Sequence, residues 1–215
     1  MLKAIIFDMD GVIVDSEPYY MERLKEFIAY KGFEYIRDDF FGEMVGLSRQ
    51  NSFKIIQTSI KDFYEDVDVF YDEYMAHAQR IKPDYMKLVN PHVKEILTYC
   101  QSLGLKIGLA SSSPMEHIEE VLRELDIYAY FDSILSGHLF KESKPNPEIY
   151  LVSLENLGVK AEECIVIEDS YSGILAAKRA KIKVIGKRDL RYNQDQSLAD
   201  EFVDDLIEIK KWISA

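Results

Sequence analysis

Four consecutive apolar residues, Ala4-Ile5-Ile6-Phe7, stop abruptly at Asp8-Met9-Asp10-Gly11. A short apolar run bounded by turn residues predicts a strand buried on both faces. Similar runs recur at 106–110, 133–135, 164–167 and 183–185, each followed by polar or small residues. Helical periodicity fills the intervals. Val93, Ile96, Leu97, Cys100 and Leu103 fall on one helical face, as do Ile118, Val121, Leu122 and Leu125, and again Tyr150, Leu154 and Leu157. Ser113-Pro114-Met115-Glu116 reads as a capping box with proline at the first helical position, and Asn146-Pro147 opens a further helix. Strands alternating with helices predict an α/β fold, a Rossmann-like parallel sheet with helices on both faces.

The stretch 16–81 breaks this rhythm. It holds no strand pattern, is rich in tyrosine and phenylalanine, and carries helical spacing at Tyr20, Leu24, Phe27 and Ile28, with further helices expected over 49–59 and 67–80. Such a block is too long for a simple crossover between two strands. It reads as an inserted α-helical cap domain of residues 16–81, interrupting a core of residues 1–15 and 82–215, with linkers near 14–16 and 82–90.

Composition narrows the function classes. Of 215 residues, 47% are apolar, enough for a real core. Lysine and arginine total 26 against 38 acidic residues, a net charge of −12, which disfavours nucleic acid or an anionic membrane as partner. The cysteines are Cys100 and Cys164, each in a predicted element, and are expected to be buried free thiols. No apolar run approaches membrane-spanning length and no charged-then-apolar leader opens the chain. The expectation is a soluble, cytoplasmic, monomeric protein.

The chemistry gathers at strand ends. Asp8 and Asp10 follow the first strand, Ser111 and Ser112 the second, and Glu168-Asp169 the fourth, while Lys144 lies in the loop after the third. In a parallel sheet these carboxyl ends share one edge, where open α/β sheets bind ligands. Crowded carboxylates there call for a bound cation, a shared proton or a reacting group. Carboxylates, a hydroxyl and an ammonium together suit magnesium and a phosphoryl group. Taken singly each has an ordinary reading: aspartates of a turn, a serine loop before a helix, a solvated lysine before proline. Their joint order carries the case.

At Asp8-Met9-Asp10-Gly11-Val12, Leu109-Ala110-Ser111-Ser112, Lys144-Pro145-Asn146-Pro147-Glu148 and Glu168-Asp169-Ser170-Tyr171-Ser172-Gly173 the chain resembles the haloacid dehalogenase-like superfamily. Asp15-Ser16-Glu17-Pro18 and Gly46-Leu47-Ser48-Arg49 agree as well. The resemblance is to the subgroup with a helical cap after the first strand, which includes β-phosphoglucomutase and sugar-phosphate phosphatases. It implies Asp8 as a nucleophile forming an aspartyl-phosphate and Asp10 as general acid and then base. It also implies a Mg²⁺ ion held by Asp8, the Asp10 carbonyl and Asp169 with Glu168 beside them, and phosphoryl binding by Ser111, Ser112 and Lys144. In the cap, Arg49 matches an arginine that grips the distal part of the substrate in mutases. Tyr20 stands where the mutases carry a histidine, and no lysine appears around 70–75. The expected activity is therefore a phosphatase acting on a small phosphorylated metabolite, a sugar phosphate above all, with a sugar phosphomutase as the alternative. A non-catalytic, receiver-like metal-binding domain is the reading from another class. His138, in the loop before Lys144, is a further candidate for reaching substrate.

Overall fold

The computed structural model describes all residues except 45–48, 79–81, 190, 193–194 and 214–215. Among the described residues six strands form one sheet: β1 (Ala4–Phe7), β2 (Lys106–Ser111), β3 (Ser133–Ser136), β4 (Cys164–Glu168), β5 (Lys183–Lys187) and β6 (Glu201–Val203). Their order is β3-β2-β1-β4-β5-β6, and every pairing is parallel. The chain therefore leaves β1 toward one side and later returns to its other side. That reversal is a topological switch point, and it lies at β1, whose carboxyl end carries Asp8.

Alternate residues of β1 serve two cores, as the pleat requires. Ile5 and Phe7 join Ile107, Leu109, Ile165 and Ile167 on one face, while Ala4 and Ile6 join Ala110, Val166 and Val184 on the other. The first core is closed by α5 (Val93–Ser102) and α6 (Met115–Glu124), the second by α7 (Glu148–Leu157) and α8 (Tyr171–Arg179). A short helix, α4 (Tyr85–Leu88), and a last one, α9 (Lys210–Ile213), complete this part. Both cysteines are buried and free, and burial pushes each thiol up to about 12, which keeps them unreactive.

The chain divides into two compact units. The α/β unit comprises Met1–Asp15, Tyr85–Asp189 and Gln194–Ala215. The helical unit comprises Ser16–Asp84 together with Leu190–Asn193, so a short piece distant in sequence joins the insert. Tyr192, in that piece, lies with its hydroxyl 3.7 Å from the Met21 sulfur. The helical unit is built from α1 (Glu17–Lys31), α2 (Arg49–Ser59) and α3 (Val67–Ala78). Helix α1 starts with proline in its first turn and ends at Gly32, whose φ of 71° suits glycine. Its apolar face, Leu24, Phe27 and Ile28, packs with Phe40, Phe53, Ile56 and Phe70 into a separate, aromatic core. No helix among the described residues is long and apolar enough to cross a membrane.

Two local features depart from the sequence pattern. Helix α6 begins at Met115 with Pro114 in the capping position and no side-chain cap, so Ser113 does not form the expected capping box. The Ser113 hydroxyl donates instead to Asp10. A bond to a carboxylate is roughly twice as strong as a neutral one, which explains the preference. Strand β6 and helix α4 were not legible because each is only three or four residues long.

Candidate active site

The turn after β1 is built to present two carboxylates. The Asp8 amide donates to the Ile167 carbonyl at 3.0 Å, extending the β1–β4 ladder by one residue. The chain then turns back, with the Ile13 and Val14 amides donating to the Met9 carbonyl and the Gly11 amide to the Val14 carbonyl. Gly11 sits at φ 78°, and a Cβ there would fall 2.0 Å from Asp169 Oδ2. Glycine thus allows both the turn and the approach of Asp169. Buried Asn90 pins the turn by donating to the carbonyls of Gly11 and Val12.

Lys144 is the hub. Its ammonium donates to Asp8 Oδ1 at 2.6 Å, Glu168 Oε1 at 2.6 Å and the Ala110 carbonyl at 2.8 Å, which uses its three protons. Its side chain is only 4% exposed. Burial alone would lower its pKa, but the carboxylates of Asp8 and Glu168 hold it charged, well above the usual lysine range. Glu168 is fully buried. Besides Lys144 it accepts from the Tyr150 hydroxyl at 2.8 Å and, on Oε2, from the amides of Asp169 and Ser170 and the Ser170 hydroxyl. So many donors make it a rigid anchor for Lys144 and for the turn leading into α8.

Charge at this edge is not balanced. Asp8, Glu168 and Asp169 can bring carboxylate oxygens within 4.8 Å of one another, and Asp10 adds its own field. Burial pushes the Asp8 carboxyl up to about 8 despite the pull of Lys144, with Glu168 and Asp10 adding to the rise. One ammonium does not offset this concentration of acid. An all-oxygen cluster with surplus negative charge fits a hard divalent cation.

The second strand end faces the same edge. Ser111 is buried, and its oxygen accepts from the Ser113 amide at 3.0 Å, which leaves the hydroxyl proton to be donated. Ser112 is exposed beside it. Ser113 donates to Asp10 Oδ2 at 2.9 Å. The ensemble pairs a buried carboxylate–ammonium couple with a second, half-buried carboxylate held by a hydroxyl.

A sequence model of haloacid dehalogenase-like hydrolases matches residues 5–187, spanning all these motifs. The chain belongs to that family. It is 36% identical over 184 residues to a phosphorylated carbohydrates phosphatase of Thermotoga maritima, covering 86% of this chain and 84% of that one. It is 31% identical over 182 residues to hexitol phosphatase B of Escherichia coli, covering 85% and 82%. Among solved structures it resembles β-phosphoglucomutase from Clostridium difficile, with 28% identity, a TM-score of 0.75 and coverage of 100% and 96%.

Within this haloacid dehalogenase-like chain, the α/β unit brings together Asp8, Asp10, Ser111, Lys144, Glu168 and Asp169. Arg49 and Tyr20 belong to the helical unit. The Arg49 guanidinium lies over the Tyr71 ring, 4.1 Å from its centroid, and 4.0 Å from Asp68. Tyr20 lines a cavity of about 200 Å³ inside the helical unit, with Glu17, Phe41, Ser52, Tyr71 and Tyr74. Gly46, Leu47 and Ser48 lie outside the described residues. His138 is exposed, and its backbone amide donates to Ser136 Oγ.

Sequence reasoning missed Tyr150, Ser113, Ser170 and Gly173. Tyr150 sits on an apolar helical face and reads as core. Ser170 accepts from the Gly173 amide and caps α8. A Cβ at Gly173 would fall 1.7 Å from Glu168 Oε1, so only glycine lets α8 approach the carboxylate. Gly173→Ala is expected to displace Glu168 from Lys144 and Tyr150 and to destabilise the protein by about 1–3 kcal/mol. A urea unfolding midpoint unchanged by the substitution would show that Glu168 yields without cost.

Proposed function

We propose that this chain is a magnesium-dependent phosphatase that acts on a small phosphorylated metabolite, a sugar phosphate, through an aspartyl-phosphate on Asp8. The helical unit serves as the cap that selects the substrate. The observation that carries the reading is the buried Lys144 ammonium bound to both Asp8 and Glu168 at the switch point, with half-buried Asp10 in the turn that follows β1. Two relatives at 36% and 31% identity bear the names of phosphatases of phosphorylated carbohydrates and hexitols, which supports the substrate class.

In the first step an Asp8 oxygen bonds to phosphorus as the ester oxygen leaves, and Asp10 supplies the proton that oxygen needs. In the second, water attacks the same phosphorus, Asp10 takes its proton, and Asp8 is released with inorganic phosphate. Lys144 and the hydroxyl of Ser111, with Ser112 beside it, neutralise and orient the phosphoryl oxygens. Asp8 and Asp169 through their side chains and Asp10 through its carbonyl would hold magnesium, which draws charge from the phosphoryl group so that an anionic nucleophile can approach. Glu168, committed to protein donors, supports this set by fixing Lys144.

A phosphomutase is the second reading, favoured by the likeness to a β-phosphoglucomutase structure. Tyr20, in place of the histidine that the mutase resemblance implies, weighs toward hydrolysis. A panel of phosphorylated sugars, with and without a sugar bisphosphate primer, separates the two. Phosphate release that stops with a chelator and returns with magnesium is expected. Magnesium at about a hundred times its dissociation constant should also stabilise the fold by about 2.7 kcal/mol, visible as a rise in melting temperature. Isomer formation without phosphate loss would establish the mutase, and inertness of the wild type toward every ester would leave a binding role.

A further inference from the structure

Ser113 connects three strand ends. Its hydroxyl donates to Asp10 Oδ2 at 2.9 Å, beyond β1. The backbone of Ser113 is fixed on both sides, its amide donating to Ser111 Oγ of β2 at 3.0 Å and its carbonyl accepting from Ser136 Oγ of β3 at 2.6 Å. Ser136 is fully buried and also receives the His138 amide. Next to it Gly137 allows backbone to pack on backbone, since a Cβ there would come 3.2 Å from Ser112 Cα. Ser113 is therefore held far more tightly than a loop serine preceding a helix needs to be, and it caps nothing.

A carboxyl group has a broad, nearly two-fold torsion about its terminal bond, so its two oxygens are interchangeable unless something distinguishes them. A donor locked on Oδ2 does so. We propose that Ser113 is a positioning residue for Asp10: its hydrogen bond to Oδ2 fixes the plane and direction of the carboxyl group for proton transfer to the departing ester oxygen. The inference rests on the reading of Asp10 as the acid of phosphoryl transfer. In that step the bond from phosphorus to Asp8 forms, the bond to the ester oxygen breaks, and the proton passes from the Asp10 carboxyl group to that oxygen.

The test uses two esters that differ in their need for a proton. Glycerol phosphate leaves as an alkoxide and needs the acid; p-nitrophenyl phosphate leaves as a stabilised phenolate and does not. Ser113→Ala should lower kcat/KM for glycerol phosphate by about 10–100-fold while changing that for p-nitrophenyl phosphate by less than about threefold. Ser113→Thr, which keeps the hydroxyl, should restore most of the loss, and magnesium half-saturation should not move. Ser136→Ala should shift the ratio in the same direction and serves as well if Ser113→Ala fails to fold. Equal losses on both esters, as for a phosphate-binding or merely structural serine, would overturn the proposal. Asp10→Asn separates the levels. If it keeps activity on glycerol phosphate, the acid role falls and the Ser113 role with it. If it loses that activity while Ser113→Ala keeps the wild-type ratio, the Ser113 role falls alone.

Discussion

Asp8→Asn is expected to end turnover on every phosphate ester and, in the absence of metal, to leave the protein at least as stable as the wild type. The activity loss follows from the proposed chemistry. An amide cannot replace the carboxylate that accepts the phosphoryl group, and removal of a nucleophile costs at least about 10⁴-fold in kcat. The stability half follows from burial. Asp8 is 7% exposed, and its carboxyl is pushed up to about 8 because burial outweighs the attraction of Lys144. A group whose folded pKa lies above its unfolded value binds more protons when folded. Its contribution is complete below the unfolded value of about 3.8 and is lost as pH rises through about 8. The metal-free wild type should therefore lose stability between about pH 4 and pH 8, and Asp8→Asn should flatten that slope. Magnesium should flatten it in the wild type as well, since a cation favours the charged carboxylate. Thermal unfolding with chelator across this range checks the sign. Identical slopes in wild type and variant would mean that the Asp8 carboxyl is not under strain.

The same trade appears in how the site could be read. Asp8, Asp10 and Glu168-Asp169 were legible because an apolar strand that ends in acid is an uncommon pattern with few physical explanations. Lys144 was legible only by its company. Nothing in Lys141-Glu142-Ser143-Lys144-Pro145 marks a lysine with a 4% exposed side chain, whose carboxylate partners Asp8 and Glu168 lie in distant segments. Tyr150 shows the converse. Its ring satisfies the periodicity of α7, so the pattern accounts for it fully, and the destination of its hydroxyl leaves no trace in sequence. Ser113 was misread for a related reason: Ser-Pro-Met-Glu is a sound local cap signal, and a carboxylate 103 positions earlier won the hydroxyl. The parallel sheet with helices on both faces followed from strands alternating with helices, whereas β6, with two of its three residues half-buried, has too short an apolar face to announce itself. The assignment of Leu190–Asn193 to the helical unit is likewise a tertiary outcome that no local pattern encodes.

Lys144→Met is expected to damage fold and activity together, which distinguishes it from Asp8→Asn. Methionine matches the lysine stem in length and keeps its packing near the Tyr150 ring, whose centroid lies 5.1 Å from the ammonium. What it removes is the charge that compensates Asp8 and Glu168, both buried. Breaking a buried ion pair by deleting one partner typically costs about 3–5 kcal/mol, because the remaining charge has no partner. In a chain of this size each kcal/mol is worth about 2–4 °C, so the transition of the α/β unit should fall by about 10 °C. Glu168 keeps its bonds from Tyr150, Asp169 and Ser170, so the larger share of the penalty should sit on Asp8. A double substitution tests that division. Adding Asp8→Asn to Lys144→Met should recover part of the lost stability, a coupling of opposite sign to independent damage. Magnesium should rescue Lys144→Met more than it stabilises the wild type, since the cation then meets an Asp8 carboxylate that no ammonium compensates. Strict additivity of the two substitutions would show that Lys144 stabilises the protein through its stem alone, and that the short contacts to Asp8 and Glu168 carry little of the fold's energy.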